Sequence, residues 1–234
     1  MLTPMTTQFC AKSLLRSIRD ITLQQDRYDP MLKQDINQPT KSFYYDAWQL
    51  KPQYNTQQWR DLFAQLGPVG QAKIVAIPPA VCYPAHTDVE DRYHITLQGH
   101  MSYLIDLQQD KMYSTTVDNV CYNMDTTKIH TAVNFGYQDR IQLVIRQLLH
   151  RTALKDACQV HVRPRVIDET HDQRLLFDTH ILGWLNSANK RRIINNFDPM
   201  GKDVEVKFEL ERSCLAEFRK QVAQCGMDML CEIT

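Results

Sequence analysis

The sequence predicts a mainly β protein with flanking helices, in the α+β class. Short alternating or apolar runs fill residues 73–145, apolar residues at helical spacing precede them, and strand and helix patterns alternate after Arg151. The chain shows no low-complexity linker and no internal repeat. We therefore predict a core over residues 1–150, including N-terminal helices, and a C-terminal α/β lobe over residues 151–234 that packs on this core.

Two amphipathic helices are predicted ahead of the strand-rich region. The first has apolar residues at helical spacing, at Leu14, Leu15, Ile18 and Ile21. The second has the same pattern at Trp59, Leu62, Phe63 and Leu66. We expect this second helix to follow an Asn55 cap and to end at Gly67-Pro68.

Five strands are predicted next, in the runs "KIVAI", "RYHITL", "MSYLIDL", "KIHTAV" and "RIQLVI". The links are rich in turn residues, as in "NFGYQD", so neighbouring strands are expected to run antiparallel in a sandwich or barrel. The C-terminal lobe is predicted to contain the strands "QVHVRPRV" and "VEVKFELE". Its two helices are marked by two apolar stripes: Phe177, Ile181, Trp184 and Ala188, then Leu215, Phe218, Val222 and Cys225.

The composition excludes several classes of partner. Basic and acidic residues both number 27, so no net field attracts nucleic acid or an anionic membrane. No apolar run is long enough to span a membrane, and the seven cysteines include no Cys-x-x-Cys pair. We expect a cytoplasmic protein with reduced, mostly buried thiols that binds a small molecule, without a nucleic-acid or membrane partner.

A metal-ligand pattern stands in "PAHTDVEDRYHITL". If this segment is a strand, His86 and Asp88 project from the same face and can reach one metal ion. His130, in the predicted strand "KIHTAV", is the best candidate for a third ligand. Two imidazoles and one carboxylate on one side of a metal leave the opposite positions open, which suits non-haem iron(II).

A cationic site for a carboxylate is predicted beside these ligands. We expect "HTAVNFGYQDRIQLVI" to form a hairpin in which Arg140 reaches the pocket lined by His130. A guanidinium binds a carboxylate through two parallel hydrogen bonds. Alternation also places Arg92, His94 and Thr96 on one face of their strand, which adds positive and polar groups.

These motifs resemble a known family. The pattern P-x-H-x-D, then R-x-H, then a histidine followed by N-x-x-x-x-D-R-I-x-L is similar to that of the iron(II)/2-oxoglutarate-dependent oxygenases of the aspartyl/asparaginyl β-hydroxylase type. The resemblance covers residues 73–145 and implies a double-stranded β-helix, which is a jelly-roll or cupin-like core. It also implies that His86, Asp88 and His130 hold iron, and that Arg140 binds the distal carboxylate of 2-oxoglutarate. Arg92 and His94 would lie near the carboxylates of this cosubstrate.

The expected activity is iron(II)- and 2-oxoglutarate-dependent hydroxylation, with O2, of a C–H bond in an amino acid or similar small molecule. Asp88 favours hydroxylation over halogenation, because related halogenases carry a small residue in place of the metal carboxylate. Two alternatives stay open. One is a hydroxylase acting on aspartyl or asparaginyl side chains of a protein, and the other is a non-catalytic cupin-like module that binds a carboxylate.

Overall fold

The computed structural model describes residues 1–18, 24–25, 32–164, 171–200 and 205–234. These residues form two compact units. The first comprises residues 1–85 and 90–148, and the second comprises residues 86–89 and 149–234. Ile21, Arg165, Val166 and Val204, which belong to elements predicted from the sequence, lie outside the described residues.

The described elements are mostly short strands. The strands are β1 (Leu2–Met5), β2 (Gln24–Gln25), β3 (Leu32–Asp35), β4 (Asn37–Gln38), β5 (Gln49–Leu50), β6 (Ala72–Ile77), β7 (Val81–Cys82), β8 (Arg92–Gln98), β9 (Ser102–Asp106), β10 (Lys111–Ser114), β11 (Cys121–Met124), β12 (His130–Asn134), β13 (Arg140–Arg146), β14 (Ala157–Pro164), β15 (Ile194–Met200), β16 (Glu205–Glu211) and β17 (Met229–Ile233). The helices are α1 (Ala11–Ser17), α2 (Gln57–Leu66), α3 (His171–Phe177), α4 (Gly183–Lys190) and α5 (Leu215–Gln224). A π-helical segment, Asp178–Leu182, joins α3 to α4.

Two antiparallel sheets make up most of the first unit. Their strand orders are β1-β11-β8-β13-β6-β3-β2 and β10-β9-β12-β7. Within β6 to β13, the strands β6, β8, β11 and β13 belong to the larger sheet, whereas β7, β9, β10 and β12 belong to the smaller one. The chain therefore passes repeatedly from one sheet to the other, and the predicted β-rich α+β class is confirmed.

The two faces of β13 belong to different cores. Leu143 and Ile145 pack in a cluster with Trp59 and Leu62 of α2. Val144 belongs to a second cluster, which contains Leu104 of β9 and Ala132 of β12 in the smaller sheet. Because side chains alternate along a strand, Arg140 and Gln142 lie on the same face as Val144. This places polar groups on the face turned toward the smaller sheet.

The second unit has its own sheet and helices. The strands β15, β16, β14 and β17 form a four-stranded antiparallel sheet in that order. Phe218 of α5 packs edge-on against Phe208 of β16, with ring centroids 5.2 Å apart, and its ring centroid lies 4.9 Å from that of Trp184 of α4. The predicted stripes on the α3–α4 region and on α5 thus face a buried aromatic core.

Three local predictions were wrong. Helix α2 begins at Gln57 after Thr56, and Asn55 ends a preceding 3₁₀ turn. His86 forms only an isolated bridge, and Thr87 and Asp88 are not in a strand. The predicted hairpin does not form, because β12 pairs with β7 and β9 whereas β13 pairs with β6 and β8. Alternating residues reveal a strand but not the partner with which it pairs.

The link after β12 is held by close packing rather than by a hairpin turn. Asn134 is fully buried and donates through Nδ2 to the carbonyl oxygens of Ile77 and Gln138, both at 2.8 Å. Gly136 lies two residues later, and a Cβ atom there would lie only 2.1 Å from the His100 carbonyl oxygen. This close approach requires glycine.

The cysteines are less buried than the composition led us to expect. None of the seven cysteines forms a disulfide, and only Cys121, Cys158 and Cys225 are buried, whereas most were expected to be. No helix in the described part of the chain is long and apolar enough to cross a membrane.

Leu143→Ala tests the packing of β13 on the helices. Leu143 is fully buried, so we expect the free energy of unfolding to fall by about 2–5 kcal/mol through lost burial and an unfilled cavity. Leu107→Ala is the matched control, because Leu107 is 44% exposed and its removal leaves no internal cavity. Urea denaturation of both variants measures the difference, and equal stabilities would contradict this packing.

Candidate metal and carboxylate site

The three ligands predicted from the sequence lie together. One donor atom each from His86, Asp88 and His130 lies within 4.8 Å of the other two. Nε2 of His86 is 3.8 Å from Oδ2 of Asp88. Asp88 and His130 are buried, whereas His86 is partly exposed. The donor set of two imidazoles and one carboxylate, without thiolate, fits a divalent metal such as iron(II).

The ring of His130, at the start of β12, is oriented by a backbone carbonyl group two residues before it. Its Nδ1 lies 2.9 Å from the carbonyl oxygen of Lys128, which can only accept a hydrogen bond. Nδ1 therefore carries the proton, and Nε2 presents its lone pair. This arrangement is typical of histidines that bind metals, in which the nitrogen that is not a ligand donates to a carbonyl or a carboxylate.

The segment with His86 and Asp88 is held through its backbone and through Thr87. Nδ2 of Asn186, a buried residue of α4, donates to the carbonyl oxygen of Asp88 at 3.1 Å. The Thr87 hydroxyl donates to the carbonyl oxygen of Asp178. Asp178 opens the π-helical segment, where the same carbonyl also accepts from the backbone N–H of Gly183. These contacts, rather than the alternation of a strand, fix the segment that carries the two candidate ligands.

Arg140 forms a buried cationic group. Its residue is 3% exposed, and its Nε donates to the Thr115 hydroxyl at 3.2 Å. The Thr115 hydroxyl is also 2.8 Å from that of Ser102. Nη2 of Arg140 is buried and has no hydrogen-bond partner among the described residues. Burial lowers the pKa of Arg140 to about 9, so the guanidinium remains charged at neutral pH and favours an anion.

His94 lies close enough to Arg140 and Arg92 to feel their charges, and it is itself uncharged. The pKa of His94 is lowered to about 3, mainly by burial and also by the nearby positive charges of Arg140 and Arg92. Its Nδ1 is 3.2 Å from Oε1 of Gln142, and Nε2 of Gln142 donates to the Thr96 hydroxyl at 3.1 Å. His94 therefore offers a neutral imidazole, and its Nε2 has no hydrogen-bond partner among the described residues.

Arg92 is part of an ion-pair cluster. Its Nη2 is 3.4 Å from Oε1 of the buried Glu90, and Nε of Arg146 is 3.1 Å from the same oxygen. The guanidinium of Arg146 lies over the ring of Phe43, 4.9 Å from its centroid. Arg92 and Arg146 are also paired across β8 and β13. The cluster is thus fixed on the same face of the sheet as His94 and Gln142.

Several site residues were not found by sequence reasoning. Thr115 contacts Arg140, and Ser102 contacts Thr115. These residues are far apart in the chain, so no sequence spacing indicates that they meet. Asn186 lies 98 residues from Asp88, which its side chain contacts. Only Gln142 had a sequence signal, because alternation places it beside Arg140 on β13.

Comparisons with known proteins found distant structural likeness only. No family model matches the chain, and no curated protein matches it. An oxidoreductase of the 2OG-Fe(II) oxygenase family from Burkholderia pseudomallei is 11% identical over 59% of this chain and 77% of that chain, with a TM-score of 0.44.

Two further similar structures are named for other reactions. The DMSP lyase DddQ from Ruegeria pomeroyi is 16% identical over 65% of this chain and 80% of that one, with a TM-score of 0.28. The polyketide cyclase RemF from Streptomyces resistomycificus is 13% identical over 32% of this chain and 52% of that one, with a TM-score of 0.29.

His86→Ala and His130→Ala test the metal cluster. We expect each variant to lose binding of one Fe(II) or Co(II) ion, measured anaerobically by calorimetry, because two remaining ligands hold the ion far more weakly. His100→Ala is the matched control, since His100 is an exposed histidine outside the cluster. Metal binding that is unchanged in both of the first two variants would contradict the site.

Asn186→Leu tests the support of the Asp88 segment. The substitution removes the hydrogen bond to the Asp88 carbonyl while it keeps a side chain of similar size. We expect roughly tenfold weaker metal binding in a folded protein, as is usual when a group that orients a metal ligand is lost. Ser187→Ala on the same helix should leave the metal affinity unchanged. Equal affinities in the two variants would show that Asn186 does not position Asp88.

Proposed function

We propose that this chain is an iron(II)- and 2-oxoglutarate-dependent dioxygenase that hydroxylates a C–H bond of an amino acid or a similar small molecule. The observation that carries the proposal is the convergence of donor atoms from His86, Asp88 and His130 within 4.8 Å. A second observation, the buried guanidinium of Arg140, adds a binding group for a carboxylate.

Iron(II) fits this ligand set better than a structural metal does. The three side chains supply two nitrogen donors and one oxygen donor, and three protein ligands leave coordination positions for other molecules. Structural zinc sites are usually closed by four protein ligands and often contain thiolates. His86, Asp88 and His130 would hold the iron, which when bound would supply the oxidising chemistry of the reaction.

The order of the strands supports a double-stranded β-helix, or jelly roll, for residues 72–146. In such a fold, two four-stranded layers face each other and most successive strands lie in different layers. Here β11-β8-β13-β6 form the centre of one sheet and β10-β9-β12-β7 form the other. Polar residues on the face of β13 turned toward the smaller sheet would then line the interior of the fold.

The residues of the chain have distinct parts in the proposed reaction. Arg140 binds the distal carboxylate of 2-oxoglutarate, and the Thr115 hydroxyl orients its guanidinium. The surroundings of Arg140 exclude water, so this charge pair is stronger than it would be at the surface. His94 and Arg92 lie near the carboxylates, while the Lys128 carbonyl keeps Nε2 of His130 available for the metal.

The overall reaction balances with the proposed cosubstrates. One 2-oxoglutarate and one O2 are consumed, and succinate, CO2 and the hydroxylated product are formed. One atom of O2 enters succinate and the other enters the new hydroxyl group. Aspartyl or asparaginyl side chains of proteins are the alternative substrates, and a screen of free amino acids and peptides for stimulated succinate release distinguishes the two.

The visible spectrum under anaerobic conditions tests the proposal. We expect a weak charge-transfer band only when both Fe(II) and 2-oxoglutarate are added, because the band requires the keto acid to chelate bound iron. In Arg140→Ala the same band should need about 10–100-fold more 2-oxoglutarate, as expected for the loss of a charged hydrogen bond. Arg16→Ala, which removes an exposed arginine of α1, is the matched control.

The spectra distinguish a dioxygenase from a protein that only binds a carboxylate. The absence of a band in folded, iron-loaded protein would contradict the dioxygenase proposal. Binding of 2-oxoglutarate without succinate formation, whatever amino acid or peptide is added, would favour a non-catalytic carboxylate-binding module. An unchanged 2-oxoglutarate requirement in Arg140→Ala would place the distal carboxylate elsewhere.

A further inference from the structure

Three buried side chains on β8 and β13 form a hydrogen-bonded chain. Thr96 is paired with Gln142 across the two strands, and His94 is paired with Val144 two residues further along. The Thr96 hydroxyl accepts from Nε2 of Gln142 at 3.1 Å, and Oε1 of Gln142 lies 3.2 Å from Nδ1 of His94. The exposed fractions are 5%, 2% and 8% for Thr96, Gln142 and His94.

The hydrogen bond to Gln142 determines which ring nitrogen of His94 carries the proton. An amide oxygen only accepts hydrogen bonds, so Nδ1 of His94 must carry the proton that it shares with Gln142. In the neutral ring, Nε2 then holds a lone pair and is an acceptor. This atom is buried and has no hydrogen-bond partner among the described residues.

This state of His94 conflicts with a bound carboxylate. A carboxylate oxygen repels the lone pair on Nε2 and needs an N–H group instead. Protonation of the whole ring would supply that N–H, but burial and the nearby charges of Arg140 and Arg92 oppose it. The remaining route is to move the proton of the neutral ring from Nδ1 to Nε2.

Every member of the chain can reverse its role. If the Gln142 amide turns over, its NH₂ group donates to Nδ1 and its oxygen accepts from the Thr96 hydroxyl. His94 then loses the proton on Nδ1 and gains one on Nε2 by exchange with water. The charge of the network is unchanged, and its two internal hydrogen bonds are kept.

We propose that Thr96, Gln142 and His94 form a reversible relay that presents Nε2 of His94 as an acceptor in the free protein and as a donor to bound 2-oxoglutarate. Gln142 is the positioning residue, because its amide decides which ring nitrogen carries the proton. This inference rests on the proposed function, since it assumes that the cosubstrate carboxylate reaches His94.

Ring ¹⁵N signals of His94 test the relay directly. The protein is labelled with ¹⁵N-histidine and loaded with Zn(II), which is diamagnetic and does not support turnover, and spectra are recorded with and without saturating 2-oxoglutarate. His94→Gln identifies the signals, and calorimetry on the same samples measures binding of 2-oxoglutarate. We expect the pattern of a neutral ring protonated at Nδ1 in the free protein and at Nε2 in the complex.

Two neutral variants separate the relay from general packing. In Gln142→Met, Nδ1 loses its acceptor, so the free protein should show both tautomers in exchange. Thr96→Val should also give both tautomers, because it removes the hydroxyl that orients the Gln142 amide. This variant replaces Gln142→Met in the test if Gln142→Met does not fold. Gln109→Met is the matched control, since Gln109 lies exposed in the turn after β9. The His94 tautomers of this variant should be those of the wild type.

The outcomes distinguish failure of the relay from failure of the proposed function. Nε2 protonation in the free protein, or a tautomer that does not change when 2-oxoglutarate is bound, overturns the relay and leaves the dioxygenase proposal standing. Wild-type tautomers in both neutral variants also overturn it. If calorimetry shows that the metal-loaded protein does not bind 2-oxoglutarate, the proposed function fails and the relay fails with it.

Discussion

The pairing of β13 with β6 and β8 is the constraint on which the rest of the structure depends. It places Leu143 and Ile145 against the helices while Gln142 and Val144 face the smaller sheet. A slip of one residue would move every one of these side chains to the opposite face and bury the polar groups among the helices. The hydrophobic cluster with α2 therefore maintains the register that positions Arg140 and Gln142.

The polar face of this sheet combines a buried cation with a neutral imidazole. An isolated charge in a low-dielectric interior is costly, and Arg140 retains a donor without a partner among the described residues. The same burial keeps His94 uncharged. A bound carboxylate would offset the desolvation of Arg140, which gives a physical reason for a ligand at this position rather than a purely structural role.

The three candidate metal ligands depend on a different kind of constraint. His130 lies at the start of β12 and is oriented by a carbonyl two residues before it. His86 and Asp88 lie in an irregular segment, so no strand geometry directs them. Their backbone is held instead through Thr87 and Asn186, at a π-helical segment and the helix after it. Interruptions of this type in helices are frequent at functional sites.

The sequence by itself determined the class of fold, the faces of β8 and β13, and the candidates His86, Asp88, His130 and Arg140. These features follow from local periodicity and residue chemistry, which a linear pattern records. Only the tertiary structure decided that β12 and β13 belong to different sheets, that Thr115 contacts Arg140, and that Asn186 holds the Asp88 backbone. Such contacts join residues far apart in the chain, and their free energy depends on which surfaces pack together, so no local pattern encodes them.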